Sequence, residues 1–261
     1  NKLPVPVGRV SFLHVNPMSF GEYLTAIGKE AIRNLLIENG FQPLPQAIHK
    51  TLLADVRDYT LIGGMPRIVQ EYIDKGELKA CQNLQSNLLQ TYQQDFRKYA
   101  KRHQIKYLQL VFDAVPFQLG NKFKYVSVSQ AHKSRELSEA LELLCMSSVV
   151  NKVHHSSANG LPLRAQIDLK RFKVNFIDVG LATRLLELDP RQAILAPNIG
   201  KLKDGAIAEL FVAQQIRAHA NPLEDFKLHY WHREARASNA EIDFVIEHNG
   251  QVVPIEVKSG P

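Results

Sequence analysis

The stretch Glu241-Ile-Asp-Phe-Val-Ile-Glu-His-Asn249-Gly250-Gln-Val-Val-Pro-Ile-Glu-Val-Lys258 decides the fold of the C-terminal part of this chain. Two apolar, alternating runs flank Asn249-Gly250, the pattern of a β-hairpin. Asn and Gly tolerate the positive φ that a two-residue type I′ turn requires at both central positions. With the turn fixed there, Asp243 falls opposite Glu256 and Glu241 opposite Lys258. Alternation puts Ile242, Phe244, Ile246, Val253, Ile255 and Val257 on one apolar face, which is expected to be buried. The other face carries Glu241, Asp243, Glu256 and Lys258. Carboxylates directly across a strand pair have Cβ atoms about 5 Å apart and repel. Something should offset that repulsion, and a divalent cation held by oxygen ligands is the natural candidate. The plainer alternative is a charged outer face on which Lys258 bridges to Glu241, which leaves Asp243 and Glu256 unexplained. Pro254, inside the second strand, could disturb this register.

Working upstream, Glu209 is the only charged residue in Ala206-Ile-Ala-Glu-Leu-Phe-Val-Ala213. A carboxylate in so apolar a helical window is costly unless it is paired or ligating. It could equally sit on the polar stripe of an amphipathic helix.

The 261 residues suffice for one large domain or two to three small ones. The composition, 45% hydrophobic and 22% charged, is that of a globular protein. No apolar run approaches the roughly 20 residues of a membrane span, and the start carries no secretory h-region. Cys81 and Cys145 form no zinc or redox spacing, which points to a reducing cytoplasm. The net charge of +6 suits a nucleic-acid partner without specifying one. The abrupt Pro4-Val-Pro-Val-Gly-Arg9-Val start and the stop just after Lys258 suggest a fragment of a longer polypeptide.

The expected class is mixed α/β, in three parts. Residues 1–76 open with a strand at 10–15. A helix then starts at the capping box Ser19-Phe-Gly-Glu22 and stops near Gly40. Helices over 48–61 and 67–73 follow, separated by the Gly63-Gly-Met-Pro66 turn. Residues 77–178 hold helices over 77–100, 104–119 and 134–146, with a short helix after Phe123. Leu137, Ala140, Leu141 and Leu144 mark the buried face of the third. Strands at 149–155 and 173–177 flank a polar loop at Asn159-Gly160. Three helices and a two-stranded wing form the order of a winged helix-turn-helix. Residues 179–261 hold a helix over 203–219 with Asp204 as N-cap, a strand at 227–231, and the hairpin. Lys133 and Arg135 open the candidate recognition helix, where base or phosphate contacts are made. The five Lys or Arg within Arg97–Lys106 could touch phosphate or simply form a solvated helix end. His229 and His232, three apart on a strand, point to opposite faces and are not expected to share a metal.

Glu209, then Asp243, then Glu256-Val-Lys258 resembles the PD-(D/E)xK nuclease superfamily, with its helix acid, strand acid and E-x-K strand. The resemblance implies a restriction-endonuclease-like α/β domain. In it Glu209, Asp243 and Glu256 would bind Mg²⁺ or Mn²⁺, and Lys258 would position the attacking water; Asp243, Glu256 and Lys258 would be the catalytic set. The family's proline before the strand acid is replaced here by Ile242.

Further stretches resemble a bacterial and archaeal AAA+-type ATPase family whose members carry a C-terminal DUF4143 domain that is nuclease-like. They are Phe12-Leu-His-Val-Asn-Pro-Met-Ser-Phe-Gly-Glu-Tyr23, Gly63-Gly-Met-Pro66, Phe176-Ile-Asp-Val-Gly-Leu181, Tyr230-Trp-His-Arg233 and Ile255-Glu-Val-Lys-Ser259. This resemblance makes residues 1–76 the end of an ATPase core and its helical lid. In the family an ATP-binding core precedes this region, and no G-x-x-x-x-G-K-[ST] loop occurs in the present sequence. ATP would therefore enter only through that core. Arg9 and Arg67 fall where ATP-sensing arginines could lie, or are surface residues. DNA is the implied partner, and self-association would run through the ATPase core. Two functions stand: a Mg²⁺-dependent phosphodiesterase on DNA coupled to an ATPase, or a non-catalytic DNA- or protein-binding module that regulates it.

Overall fold

The computed structural model describes residues 8–40, 42–188, 201–234 and 239–258, the side chains of residues 97, 99 and 201–204 excepted. Pro4–Val7, Ser259 and the side chains of Arg97 and Asp204 thus lie outside the described residues. The class is mixed α/β, as expected.

Residues 10–15 form no strand; they run extended along the surface, with Phe12, Leu13 and Val15 exposed. The capping box forms as read: Glu22 donates its N–H to Ser19 Oγ, and the Glu22 carboxylate accepts from the Ser19 N–H. The single helix expected after it is two, α1 (Phe20–Ala26) and α2 (Glu30–Asn39). The break lies at Gly28, whose φ of 77° no right-handed helix can absorb. Gly40 ends α2 with a positive φ. The helices α3 (Gln46–Ile62), α4 (Pro66–Lys75, proline at its first position) and α5 (Leu78–Tyr99) follow.

Next come α6 (Ile105–Ala114), a 3₁₀ turn at Val115–Gln118, α7 (Tyr125–Val128) and α8 (Ser134–Met146). Pro116, which cannot donate to a helical ladder, accompanies the tightening to 3₁₀. The buried residues of α8 are Leu137, Ala140, Leu141 and Leu144, the i, i+3, i+4, i+7 set that the sequence marks. Strands β1 (Val150–Ser156) and β2 (Ile167–Phe176) then pair antiparallel around the loop, with a bulge after His154. The helix–helix–helix–hairpin order is present.

After α9 (Val179–Leu185), the helix α10 (Lys201–Ala218) leads into β3 (His229–Glu234), β4 (Asn239–His248) and β5 (Gln251–Ile255). The helix begins at Lys201, so Asp204 lies inside its first turn rather than capping it. All five strands share one sheet in the order β2-β1-β3-β4-β5, joined by a short parallel contact between β1 and β3. One hydrophobic core runs from α1 through α10 and includes Tyr59, Phe112 and Phe176. A second gathers Val153, Ala213, Leu228, Tyr230 and Phe244 between α10 and the sheet.

The turn at Asn249-Gly250 is as read, with φ of 50° and 73°. The register also holds from Phe244–Ile255 to His248–Gln251. Pro254 fits because β5 is an edge strand, where a missing N–H costs no ladder bond. On the apolar face Phe244 is buried, and Ile246, Ile255 and Val257 pack against the second core. The ladder stops at Ile255, so the Asp243–Glu256 and Glu241–Lys258 pairs do not form. Asp243 Oδ2 instead accepts the Val257 N–H at 2.8 Å, and Lys258 turns back to Glu256 Oε1 at 2.5 Å.

A candidate carboxylate–lysine site

Two of the three carboxylates that the sequence singles out as ligands, Glu209 and Asp243, converge with Glu241 on Lys173. This lysine lies on β2, and its side chain is only 3% exposed. Its Nζ is 3.1 Å from Glu209 Oε2 on α10 and 3.7 Å from Asp243 Oδ1 on β4, and it also pairs with Glu241 Oε1 on β4. The Tyr230 ring of β3 lies beneath it, 5.5 Å from Nζ to the centroid, in cation–π range. Burial alone would lower the lysine pKa, but the Glu209 and Glu241 carboxylates outweigh it and hold the ammonium above its ordinary value. Glu209 is pushed up to about 7, first by burial and then by Asp243, with Lys173 opposing. The site is thus an ammonium among three acids, one of which is poised to take a proton near neutrality.

The local structure explains the placement. Glu209 projects from the sheet-facing side of α10, between Ala206 and Ala213, small residues that let the helix approach. Gly120, with φ of 72°, abuts the same turn; a Cβ there would lie 3.1 Å from the Ala206 Cβ and 3.3 Å from Glu209 Oε1. Asp243 is fixed by the Val257 N–H. Around the rim, Lys122 pairs with Glu234, which also lies 3.8 Å from Arg171 and 3.7 Å from His232 Nδ1.

The structure therefore brings Glu209 and Asp243 together and leaves Glu256 and Lys258 outside. The Glu256 and Lys258 side chains are 46% and 72% exposed and face each other. Among the described residues, no group of three or more His, Cys, Asp or Glu is arranged to hold a metal ion. The carboxylates as placed do not fit Mg²⁺ or Mn²⁺: an ammonium occupies the space between them, and the third acid of the motif is turned away. Sequence reasoning missed Lys173 and Glu241 as partners. The available signal was the excess of acids converging on one sheet face, which demanded a cation.

The remaining candidates lie apart from this cluster. Lys133 and Arg135 are exposed at the start of α8, where Arg135 pairs with Glu139 at 3.3 Å. The helix also carries Glu136 and Glu142, and Glu142 pairs with Lys152 of β1. Arg67 pairs with Glu71 at 3.8 Å on α4, and Arg9 is exposed. His229 is buried, and burial pushes its imidazole down to about 4. His232 instead faces Glu241, at 3.9 Å. Cys81 and Cys145 are free, and burial pushes each thiol up to about 11.

Fold and site define a mixed α/β protein in which a helix–hairpin region shares its sheet with a terminal α-β-β-β unit, with a buried lysine–carboxylate cluster at their junction. Residues 53–192, more than half of the chain, match the family model described as domain of unknown function DUF8612, and the chain belongs to that family. Residues 204–261 match the model described as domain of unknown function DUF4143. No curated protein and no solved structure matches the chain. The cluster spans both matched segments: Lys173 comes from the first, and Glu209, Glu241 and Asp243 from the second. No helix among the described residues is long and apolar enough to cross a membrane.

Proposed function

We propose that this chain is the C-terminal part of an AAA+-type ATPase whose nuclease-like module binds DNA without cleaving it and reports on the ATPase. The observation that carries this reading is Lys173 Nζ standing among Glu209, Glu241 and Asp243. An internal ammonium stands between the acids that a divalent ion would otherwise need, which supports a module that works without metal chemistry. Support for DNA as the ligand comes from the net charge of +6 and the helix–helix–helix–hairpin order. Arg135 of α8 is engaged by Glu139, which leaves Lys133 as that helix's free basic group for phosphate among the described ion pairs. Arg164 and Lys170, exposed around the β1–β2 hairpin, are further candidate phosphate contacts. ATP binding, in this reading, belongs to a core carried by a longer chain.

A second reading, a Mg²⁺- or Mn²⁺-dependent phosphodiesterase, draws support from the adjacency of Glu209 and Asp243 and the raised pKa of Glu209. It requires Lys173 to leave the cluster and Glu256 to enter it. One experiment separates the two. The chain is incubated with supercoiled, linear and single-stranded DNA in Mg²⁺ or Mn²⁺, and binding is followed across a salt series. The first reading expects salt-sensitive binding and intact DNA. Cleavage abolished by Glu256→Ala with Lys258→Ala would establish the second, and absence of DNA binding at low salt would contradict both.

A further inference from the structure

A cavity of about 210 Å³ lies away from the lysine cluster, between the extended segment 13–17, the ends of β1 and β2, and α10 with the loop that follows it. A single water needs only about 10–15 Å³ measured this way. Drug-sized ligands take roughly 300–1,000 Å³. The space therefore suits a small molecule of several atoms. Asn151 and Asn175, directly opposite each other in the β1–β2 ladder, line it, together with Gln214 and Arg217 of α10.

One buried donor of the lining has no partner among the described residues. Asn175 is 5% exposed, and its Nδ2 has no partner. A buried amide left unpaired costs about 1–3 kcal/mol, which makes it a candidate ligand contact. Arg217 forms no ion pair among the described residues, and burial holds its guanidinium below the ordinary value against the pull of Asp225. The acids of the lining are already engaged: Glu224 Oε1 accepts from Asn221 Nδ2 at 2.6 Å, and Asp225 pairs with Lys227 at 2.7 Å. Gln214 is committed to Val179, Tyr59 and Asp178. The lining thus offers a guanidinium without an ion pair among the described residues and an unpartnered buried amide N–H₂, the donor set that recognises an oxyanion.

We propose that this cavity binds a small oxyanion, the phosphate or carboxylate group of a low-molecular-weight metabolite, with Arg217 and Asn175 as its donors. The contacts come from β2, on the DUF8612 side, and α10, on the DUF4143 side, so occupancy would clamp the two matched segments together. The test is titration of the full chain with inorganic phosphate and, separately, acetate, each against sodium chloride of matched ionic strength. Melting temperature and heat of binding are read. A saturable rise with phosphate alone identifies a phosphate group as the ligand chemistry, and a rise with acetate identifies a carboxylate. Arg217→Gln should abolish the response, and Asn175→Asp, which places a negative charge against the anion, should weaken binding by about tenfold or more. Should Arg217→Gln fail to fold, Asn175→Asp carries the test by itself. No saturable response to either anion, or an undiminished response in these variants, would overturn the proposal.

Discussion

Asp178 Oδ2 accepts the backbone N–H of Gly64 at 2.7 Å, joining residues 114 positions apart in a fully buried contact. The same carboxylate caps α9 through the Leu181 N–H at 3.0 Å and accepts from Gln214 Nε2 at 3.2 Å. Gln214 also donates to Tyr59 Oη, which donates to the Met18 carbonyl, and the Met18 N–H returns to the Gly64 carbonyl. Met18, Gly63-Gly64 and Asp178-Val-Gly180, from three stretches that stand out in the sequence, thus meet α10 at one buried polar junction. Their shared role is structural.

Removing the carboxylate leaves the buried Gly64 and Leu181 N–H groups without an acceptor, while Gln214 keeps its bond to Tyr59 Oη. Asp178→Ala should cost about 2–6 kcal/mol, since each of the two orphaned backbone donors costs about 1–3 kcal/mol. Urea denaturation followed by circular dichroism measures it. A loss below about 1 kcal/mol, the scale of an exposed cap alone, would contradict the junction's role.

The glycines permit this approach. A Cβ on Gly180 would lie 2.4 Å from the Gly63 nitrogen and from the Ile62 carbonyl carbon and oxygen, where only backbone could yield. Gly180→Ala should therefore destabilise by about 3 kcal/mol or more, in the range of severe overpacking. Gly250→Ala in the exposed hairpin turn should cost only about 1 kcal/mol, for its positive φ alone. Comparable losses at the two sites would refute the contact argument.

Glu209 gives stability a defined pH dependence. Its pKa rises from 4.5 to about 7 on folding, so the folded state binds its proton more tightly than the unfolded state does. That contribution is fully present below about 4.5 and is lost as pH rises through about 7. Lys173, Asp243 and Glu241 face it throughout. Subtracting the stability curve of Glu209→Gln from that of the native protein should leave a difference that falls by about 1–3 kcal/mol across this window. A flat or rising difference would show that Glu209 is ionised well below neutrality.

Lys173→Met keeps the length of the side chain and removes the ammonium. Three acids then lack their shared cation, and the expected loss is about 3–5 kcal/mol at neutral pH. Lowering the pH should relieve part of it, because Glu209 can be neutralised. A variant as stable as the native protein at pH 7 would mean that the cluster is solvent-screened rather than buried.

The hairpin, its turn and the buried stripe of α8 were legible because each follows from local rules: positive φ at Asn-Gly, and apolar spacing of three and four. The gathering of Asp243 and Glu241 on one face was legible too, although the expected counter-ion there was a divalent metal and the group that meets them is an ammonium. The residue that supplies it was not legible. Lys173 sits in the alternating strand Phe172-Lys-Val-Asn-Phe176, and strand alternation cannot tell an inward lysine from an outward one. Only the tertiary placement of α10 against β2 carries its Nζ to Glu209. The fate of Glu256 was hidden for a similar reason. The register was correctly read near the turn, but where the ladder ends depends on Asp243 capturing the Val257 N–H, a tertiary choice. The split of α1 and α2 needed only Gly28, which helical periodicity had masked.

The central claim, that an internal ammonium serves where a metal would, is tested most directly by thermal melting of the native protein and of Asp243→Asn in millimolar Mg²⁺ or Mn²⁺, at ionic strength matched with sodium chloride. Lys173 already satisfies the carboxylates, so neither metal should raise the melting temperature of the native protein beyond the salt control. A saturable rise in the native protein that disappears in Asp243→Asn would contradict the account and place a divalent ion at the cluster.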